Sequence, residues 1–223
     1  MSWCIDWELV GKVATISKEV ITLGVACIGV YAALEGLSTW KRQLTGQTEY
    51  ELARQLLRCT YILREALRDV RRPEILIDEQ VLPEGFASLS PKQVEYAIMH
   101  TAHHNRWSKV LNARAELQTE LIKGEVVWNK AVKDKYERLF ELQQELLADV
   151  NAYLTGFDPD ASEEKKAAAY AYRYDRRTIN FHLPGAREDP FWIDVEAAIS
   201  DIESYLKPHL AKPRGILWFG DSR

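Results

Sequence analysis

The sequence predicts a mainly α-helical protein, with one N-terminal transmembrane helix followed by a cytosolic helical bundle of long antiparallel helices. Three observations predict this fold class. Residues 20–34 form a run of fifteen residues without a charge. Several long segments place apolar residues three and four positions apart, as amphipathic helices do. Proline and glycine stand at the ends of those segments, where helices start and stop. The 223 residues suffice for one domain and an appendage.

The predicted transmembrane helix covers residues 20–40, VITLGVACIGVYAALEGLSTW. Crossing a hydrocarbon layer takes about 20 helical residues, so this span requires that Glu35 be tolerated near one end. A carboxylate in that position reaches headgroups or water. The Trp-Lys-Arg sequence that begins at Trp40 is typical of an interfacial anchor. The alternative is a soluble amphipathic helix that starts near Val13.

Flanking charge predicts the orientation of the span. More basic residues follow it than precede it, which favours a cytoplasmic C-terminal side in a bacterial inner membrane. We therefore expect residues 1–42 to form the N-terminal segment and span, and residues 43–223 to form a cytosolic domain in contact with membrane lipids. Cys4, Cys27 and Cys59 lack metal-ligand spacing, so reduced thiols are expected, as in the cytosol. No cofactor is predicted.

Small residues inside the span predict contact between helices. Gly29 and Ala33 form one small-xxx-small pair, and Gly36 closes a second pair that starts at residue 32. Such spacing lets helix backbones approach closely in lipid. We expect a homo-oligomer that packs through this face, with Glu35 lining the interior if a ring forms.

Four helices are predicted for the bundle: residues 48–72, 91–123, 125–154 and 190–207. Ser90 and Pro91 are typical of a helix start, and a break is expected at Gly124. Gly156 is expected to cap the third helix, and Pro208 to end the fourth. A further helix is expected to end near residue 175. The apolar tail residues 217–219 are expected to dock on the core or on a neighbouring subunit.

A basic face follows the span directly. Residues 41–72 contain eight Lys or Arg and four Asp or Glu, a net charge of +4 in a chain whose net charge is −4. The interpretations are contact with anionic lipid headgroups, contact with RNA, or a solvated surface. No aromatic platform alternates with these arginines, so nucleic acid is the less favoured partner. The residues are Arg54, Arg58, Arg64, Arg68, Arg71 and Arg72.

The sequence HTAHHNRW, residues 100–107, contains the only histidine cluster. His100 and His104 are spaced to share a helix face, and neutral imidazoles at that spacing can bind zinc. A site would need further ligands, and the spacing supplies none. Polar or half-buried histidines on a long helix are the favoured interpretation.

One pair of residues could carry catalysis. In RRTINFH, Arg177 precedes His182 by five positions. An imidazole can move a proton at a ribose hydroxyl while an arginine holds the phosphate, and such a pair is the motif of the helical HEPN ribonucleases. The alternative places Arg177 on the surface and His182 in a turn.

The layout of span, helical bundle and Arg–x4–His pair resembles the small membrane accessory protein of type VI-B CRISPR loci. Arg177 and His182 are the matching residues. The resemblance implies ring-shaped oligomers in the inner membrane and an accessory role in antiviral defence. The leading function is therefore a non-enzymatic, self-assembling membrane module, such as a pore. The alternatives are a membrane-tethered HEPN-like ribonuclease and a scaffold that recruits a soluble partner through its acidic last helix.

Overall fold

The computed structural model describes residues 7–72, 74–176 and 189–210, with the side chains of residues 7–23, 26, 27 and 173–176 outside the description. Over these ranges the chain is mainly helical and has no strand, which confirms the predicted class at that level. Two short 3₁₀ turns, Ile77–Glu79 and Phe86–Ser88, lie in the connector after the first helix. The helices are α1 (Trp7–Val70), α2 (Pro91–Trp128), α3 (Ala131–Asp134), α4 (Glu137–Phe157), α5 (Glu163–Arg176) and α6 (Pro190–Leu210).

The chain divides into two units, Met1–Thr48 and Glu49–Arg223. Helix α1 supplies the described part of the first unit. In the second unit, the later part of α1 packs with the other helices around one hydrophobic core.

The structure gives no support for the transmembrane part of the predicted fold. Among the residues that were described in full, no helix is long and apolar enough to cross a membrane. The predicted span falls partly outside those residues, since the side chains of 20–23, 26 and 27 are not described.

The later part of α1 buries one apolar stripe, as its spacing predicts. The stripe consists of Leu52, Leu56, Cys59, Leu63, Leu67 and Val70. Burial raises the pKa of the Cys59 thiol, helped by nearby Glu120, and this favours the unreactive thiol form. Within the stripe, Thr60 donates a hydrogen bond to the carbonyl of Leu56 at 2.8 Å. The Tyr136 hydroxyl, 3.1 Å from Thr60 Oγ1, must therefore be the donor in that contact.

The break predicted at Gly124 is wrong. Helix α2 continues through it to Trp128, and Gly124 is buried. A Cβ added there would lie 3.3 Å from Cγ1 of Val132 and 3.5 Å from Cδ1 of Leu56. The glycine is thus a point of close approach between helices. The chain turns instead at Asn129, whose φ is 63° and whose side-chain oxygen accepts from the backbone N–H of Ala131.

Two other predicted helix ends also differ from the structure. Gly156 does not cap its helix but lies inside α4, where it is buried, and a Cβ added there would lie 3.7 Å from Cζ of Tyr170. Pro208 does not end its helix either, because α6 continues to Leu210. Proline removes one backbone hydrogen bond and crowds the carbonyl four residues earlier, but here these costs do not end the helix at Pro208.

Helix α6 is antiparallel to α1 in the second unit. At its start, Asp189 accepts from the backbone N–H of Trp192 and pairs with Arg71 at 2.7 Å. At its end, His209 lies 3.3 Å from Glu49. Val195, Ile199, Ile202 and Leu206 are spaced three and four positions apart on α6 and are all buried.

The close approach at Gly124 yields a stability prediction. Replacing Gly124 by Leu should lower the free energy of unfolding by roughly 1–3 kcal/mol, because the core must move apart to admit the side chain. Urea unfolding followed by circular dichroism measures it. The control is Ala115→Leu on the exposed side of α2, which should change stability little. Equal stability of both variants would mean that Gly124 is not a packing position.

Candidate functional sites on helix α1

The first candidate site is the apolar segment of α1, which we define as residues 25–44. Eight large apolar side chains in it are between 57% and 70% exposed. At 100° per helical residue, their positions distribute them around the whole circumference of the helix. This is the opposite of the later part of α1, where one stripe is buried. The eight are Val25, Ile28, Val30, Tyr31, Leu34, Leu37, Trp40 and Leu44.

The small residues of the predicted oligomer face lie on this segment. Gly29, Ala33, Glu35 and Gly36 are all exposed. A Cβ added at Gly29 or at Gly36 would meet nothing within 4 Å. No described residue therefore packs against these glycines, and space for a neighbouring helix is open.

The second candidate site is the basic face, and the structure divides it. Arg54 and Arg58 are exposed. Arg54 has only a 3.7 Å contact with the neighbouring Glu51, and Arg58 forms no ion pair with a residue that the structure describes. Arg68 is exposed as well, but it has ion-pair partners, so Arg54 and Arg58 are the members of the basic face with the fewest contacts among the described residues.

The other four arginines of the predicted face have partners within the fold. Arg64 and Arg68 share Glu65 and both face Glu196 of α6, and Arg68 also lies 4.7 Å from the ring of Trp192. Arg71 pairs with Asp189, and Arg72 pairs with Asp69 at 3.1 Å and Glu79 at 3.3 Å. Their charges join elements of the fold to one another.

A shallow groove of about 770 Å³ runs beside Arg54 and Arg58. Its apolar side chains include Tyr50, Tyr61 and Ile62, each between 37% and 39% exposed. This groove combines apolar and aromatic surface with two exposed cations. The complete lining, which we call the α1 groove, is Tyr50, Arg54, Leu57, Arg58, Tyr61, Ile62, Glu65 and Leu210.

The histidine cluster lies on α2. His100 and His104 are exposed, and within the described ranges no three His, Cys, Asp or Glu side chains are grouped as metal ligands. His103 is buried, and its Nδ1 lies 2.9 Å from the carbonyl of Met99, so this nitrogen must be the donor. Burial lowers the pKa of His103. A neutral imidazole therefore fits this position.

The structure reveals a buried charge cluster that the sequence did not indicate. Arg106 of α2 is 1% exposed. Its Nε donates to Oε1 of Glu79 at 2.8 Å, and its Nη2 donates to Oε2 at 2.6 Å. Its Nη1 donates to the carbonyl of Arg72 at 2.6 Å, just after the end of α1. One guanidinium thus joins α1, the connector and α2.

These bonds set the ionisation of Glu79. Hydrogen bonds from Arg106 hold its pKa at about 2, and the backbone N–H of Leu76 adds to the effect. The same pairing raises the pKa of Arg106. Both groups are charged at neutral pH, so the cluster is a structural clamp.

A second polar contact links α2 with α4. Arg114 donates to the amide oxygen of Gln143 at 2.7 Å and lies 3.3 Å from the centre of the Phe140 ring. Gln143 is buried, and its amide oxygen therefore has a partner inside the fold. Two acidic residues of α6 form ion pairs on the surface, Asp194 with Arg138 and Asp201 with Lys135.

The predicted catalytic pair, Arg177 and His182, lies outside the described residues. No protein-family model, curated protein or solved structure matches this chain. The resemblance to the type VI-B accessory family stays a prediction.

The Arg106 clamp predicts an acid-dependent loss of stability. Replacing Glu79 by Gln leaves a buried guanidinium without its counter-charge and should cost roughly 3–5 kcal/mol at pH 7. The pKa of Glu79 falls from 4.5 to about 2 on folding. Its contribution is therefore complete above pH 4.5 and is lost as the pH falls toward 2. Urea unfolding at a series of pH values measures the free energy of unfolding of both the variant and the parent.

The matched control is Asp78→Asn, in the same 3₁₀ turn but exposed. It should leave the stability at pH 7 nearly unchanged. A constant difference between Glu79→Gln and the parent from pH 7 to pH 2 would contradict the assigned ionisation.

Proposed function

We propose that the protein is a membrane-anchored, self-associating helical protein, with the apolar segment of α1 in lipid and the second unit on the cytoplasmic side. One observation carries the proposal. The apolar segment exposes large apolar side chains around its whole circumference. A helix that is apolar on all sides is typical of a position inside a large core or a bilayer.

Burial of the exposed apolar side chains of this segment would contribute a large free energy. Fully burying one large apolar side chain contributes about 1.5–3 kcal/mol, so eight of them amount to something on the order of 10 kcal/mol. Contiguous apolar surface of this kind marks an interaction site on a soluble protein. The fifteen uncharged residues at 20–34 precede Trp40 and a basic pair, and this sequence context favours lipid as the surroundings.

Self-association is proposed through the small residues. Gly29 and Ala33 are one turn apart, and no described residue occupies the space next to Gly29. Close approach of two such helices gains van der Waals contact and weak hydrogen bonds in lipid. Glu35, on the same segment, would then face a partner or a polar interior, where a carboxylate is better solvated than in hydrocarbon.

The proposed role of this assembly is a pore or another perturbation of the membrane in antiviral defence. It rests on the resemblance stated above, together with the proposed anchor. Arg54 and Arg58 follow the segment ten and fourteen residues after Leu44, and contact with anionic headgroups would add about 1 kcal/mol of attraction for each.

Membrane insertion is tested by placing a charge within the apolar segment. Arg at the centre of a membrane helix costs about 2.5–3.5 kcal/mol, so the double variant Ile28→Arg, Leu34→Arg should leave the membrane fraction. The measurement is carbonate extraction followed by flotation of cell membranes. Val126→Arg is the control, because Val126 is 84% exposed on α2. Parent protein that stays in the supernatant without detergent would refute the proposal.

Self-association is tested by filling the small-residue face. The variant Gly29→Leu, Ala33→Leu should reduce the mass of the detergent-extracted protein to that of a monomer, because leucine side chains keep the backbones apart. Light scattering of the protein–detergent complex measures the mass. Ser38→Leu is the control, since Ser38 lies on the opposite side of α1 from Gly29. An unchanged mass in the first variant, or a monomeric parent, would exclude this face as the contact.

A further inference from the structure

The α1 groove is open although it belongs to a helix with a well-buried opposite face. Leu57, Tyr61 and Ile62 form its apolar floor. Exposed guanidinium groups of Arg54 and Arg58 flank the floor. Aromatic rings are favoured ligands for such a surface, because they bury apolar area and also stack on arginine.

Leu210 lines one end of the groove. The antiparallel packing of α6 and α1 places this end next to Tyr50, since His209 contacts Glu49 and Glu203 accepts from the hydroxyl of Tyr61 at 2.9 Å. Thirteen residues, 211–223, follow Leu210 in the sequence. The last described residue of the chain, Leu210, therefore lies at the groove itself.

The chain is long enough to fill the groove. Along α1, residues 50 and 62 are about 18 Å apart at 1.5 Å per residue. Trp218 is eight positions after Leu210, and an extended chain over eight positions reaches about 26 Å. The sequence ILWF, residues 216–219, contains no charge and two aromatic rings. Its composition matches the floor and the flanking arginines.

We propose that residues 216–219 of this chain occupy the α1 groove, with Trp218 against Tyr61 and Ile62. The tether favours this occupant over a free ligand, because a short linker holds its end at an effective concentration of the order of millimolar. The docked tail covers the exposed apolar floor and stacks on Arg54 and Arg58. The docked tail therefore competes with the anionic headgroups proposed above for these two arginines.

Photo-crosslinking in the full-length chain tests this inference. A benzophenone amino acid replaces Trp218, and the irradiated protein is digested and analysed by mass spectrometry. The expected product has the mass of a monomer and joins residue 218 to the peptide containing residues 50–65. The same photoreactive group placed at Val126, which is 84% exposed, should give no product with that peptide.

A groove variant provides the second arm. Ile62→Glu should lower the yield by roughly tenfold, equivalent to about 1.4 kcal/mol of docking energy. Ile193→Glu, exposed on α6, should leave the yield unchanged. Products of dimer mass would assign the groove to the tail of a second copy and overturn the proposal. Products with lipid, products elsewhere in the chain, or no product would overturn it as well.

Discussion

A guanidinium that is 1% exposed keeps its charge, so the fold must supply its acceptors. Arg106 receives them from Glu79 and from a carbonyl just beyond α1. The path of the connector between α1 and α2 follows from this requirement, because Arg72, Glu74 and Glu79 all have to reach one side chain. Buried ion pairs are costly to form and costlier to break. The second unit depends on keeping this pair complete.

Helix α1 meets two environments along one continuous stretch of 64 residues. Beyond Glu49, its apolar side chains lie on one face and the helices of the bundle cover them. Before Thr48, apolar side chains lie on every face and no described residue covers them. The two parts differ in how their apolar residues are spaced and not in composition, since both are rich in Leu, Ile and Val. A stripe specifies a neighbour on one side, whereas an all-round distribution requires an apolar medium or several neighbours.

The helices could be predicted from periodicity because burial of a stripe is a local property of the sequence. Leu52 to Val70 and Val195 to Leu206 illustrate this. Gly124 was misjudged because a glycine at a helix break and a glycine at a close contact look alike until the neighbour is known. Arg106 was missed for a related reason: its partner Glu79 lies 27 residues earlier, and no spacing rule relates the two. Arg71 and Arg72 belonged to a basic face in the sequence, yet their charges are used inside the fold.

The candidate sites, like the fold, could be predicted only in part from the sequence. The contact of the small residues on α1 with a neighbouring helix stays a prediction, and the sequence placed all six arginines on one face without separating Arg54 and Arg58 from the rest. The α1 groove could not be predicted, since it arises where Leu210 of α6 meets the outer face of α1. Tertiary packing over 160 residues of sequence separation creates that surface.

The clamp also has a consequence for motion. The backbone N–H of Leu76 donates to Glu79 at 3.0 Å, although Leu76 itself is 41% exposed. This amide can exchange its proton with solvent only when Glu79 turns away, and Glu79 cannot turn away without releasing Arg106. Hydrogen exchange at the exposed Leu76 amide therefore reports how often the pair of Glu79 and Arg106 opens.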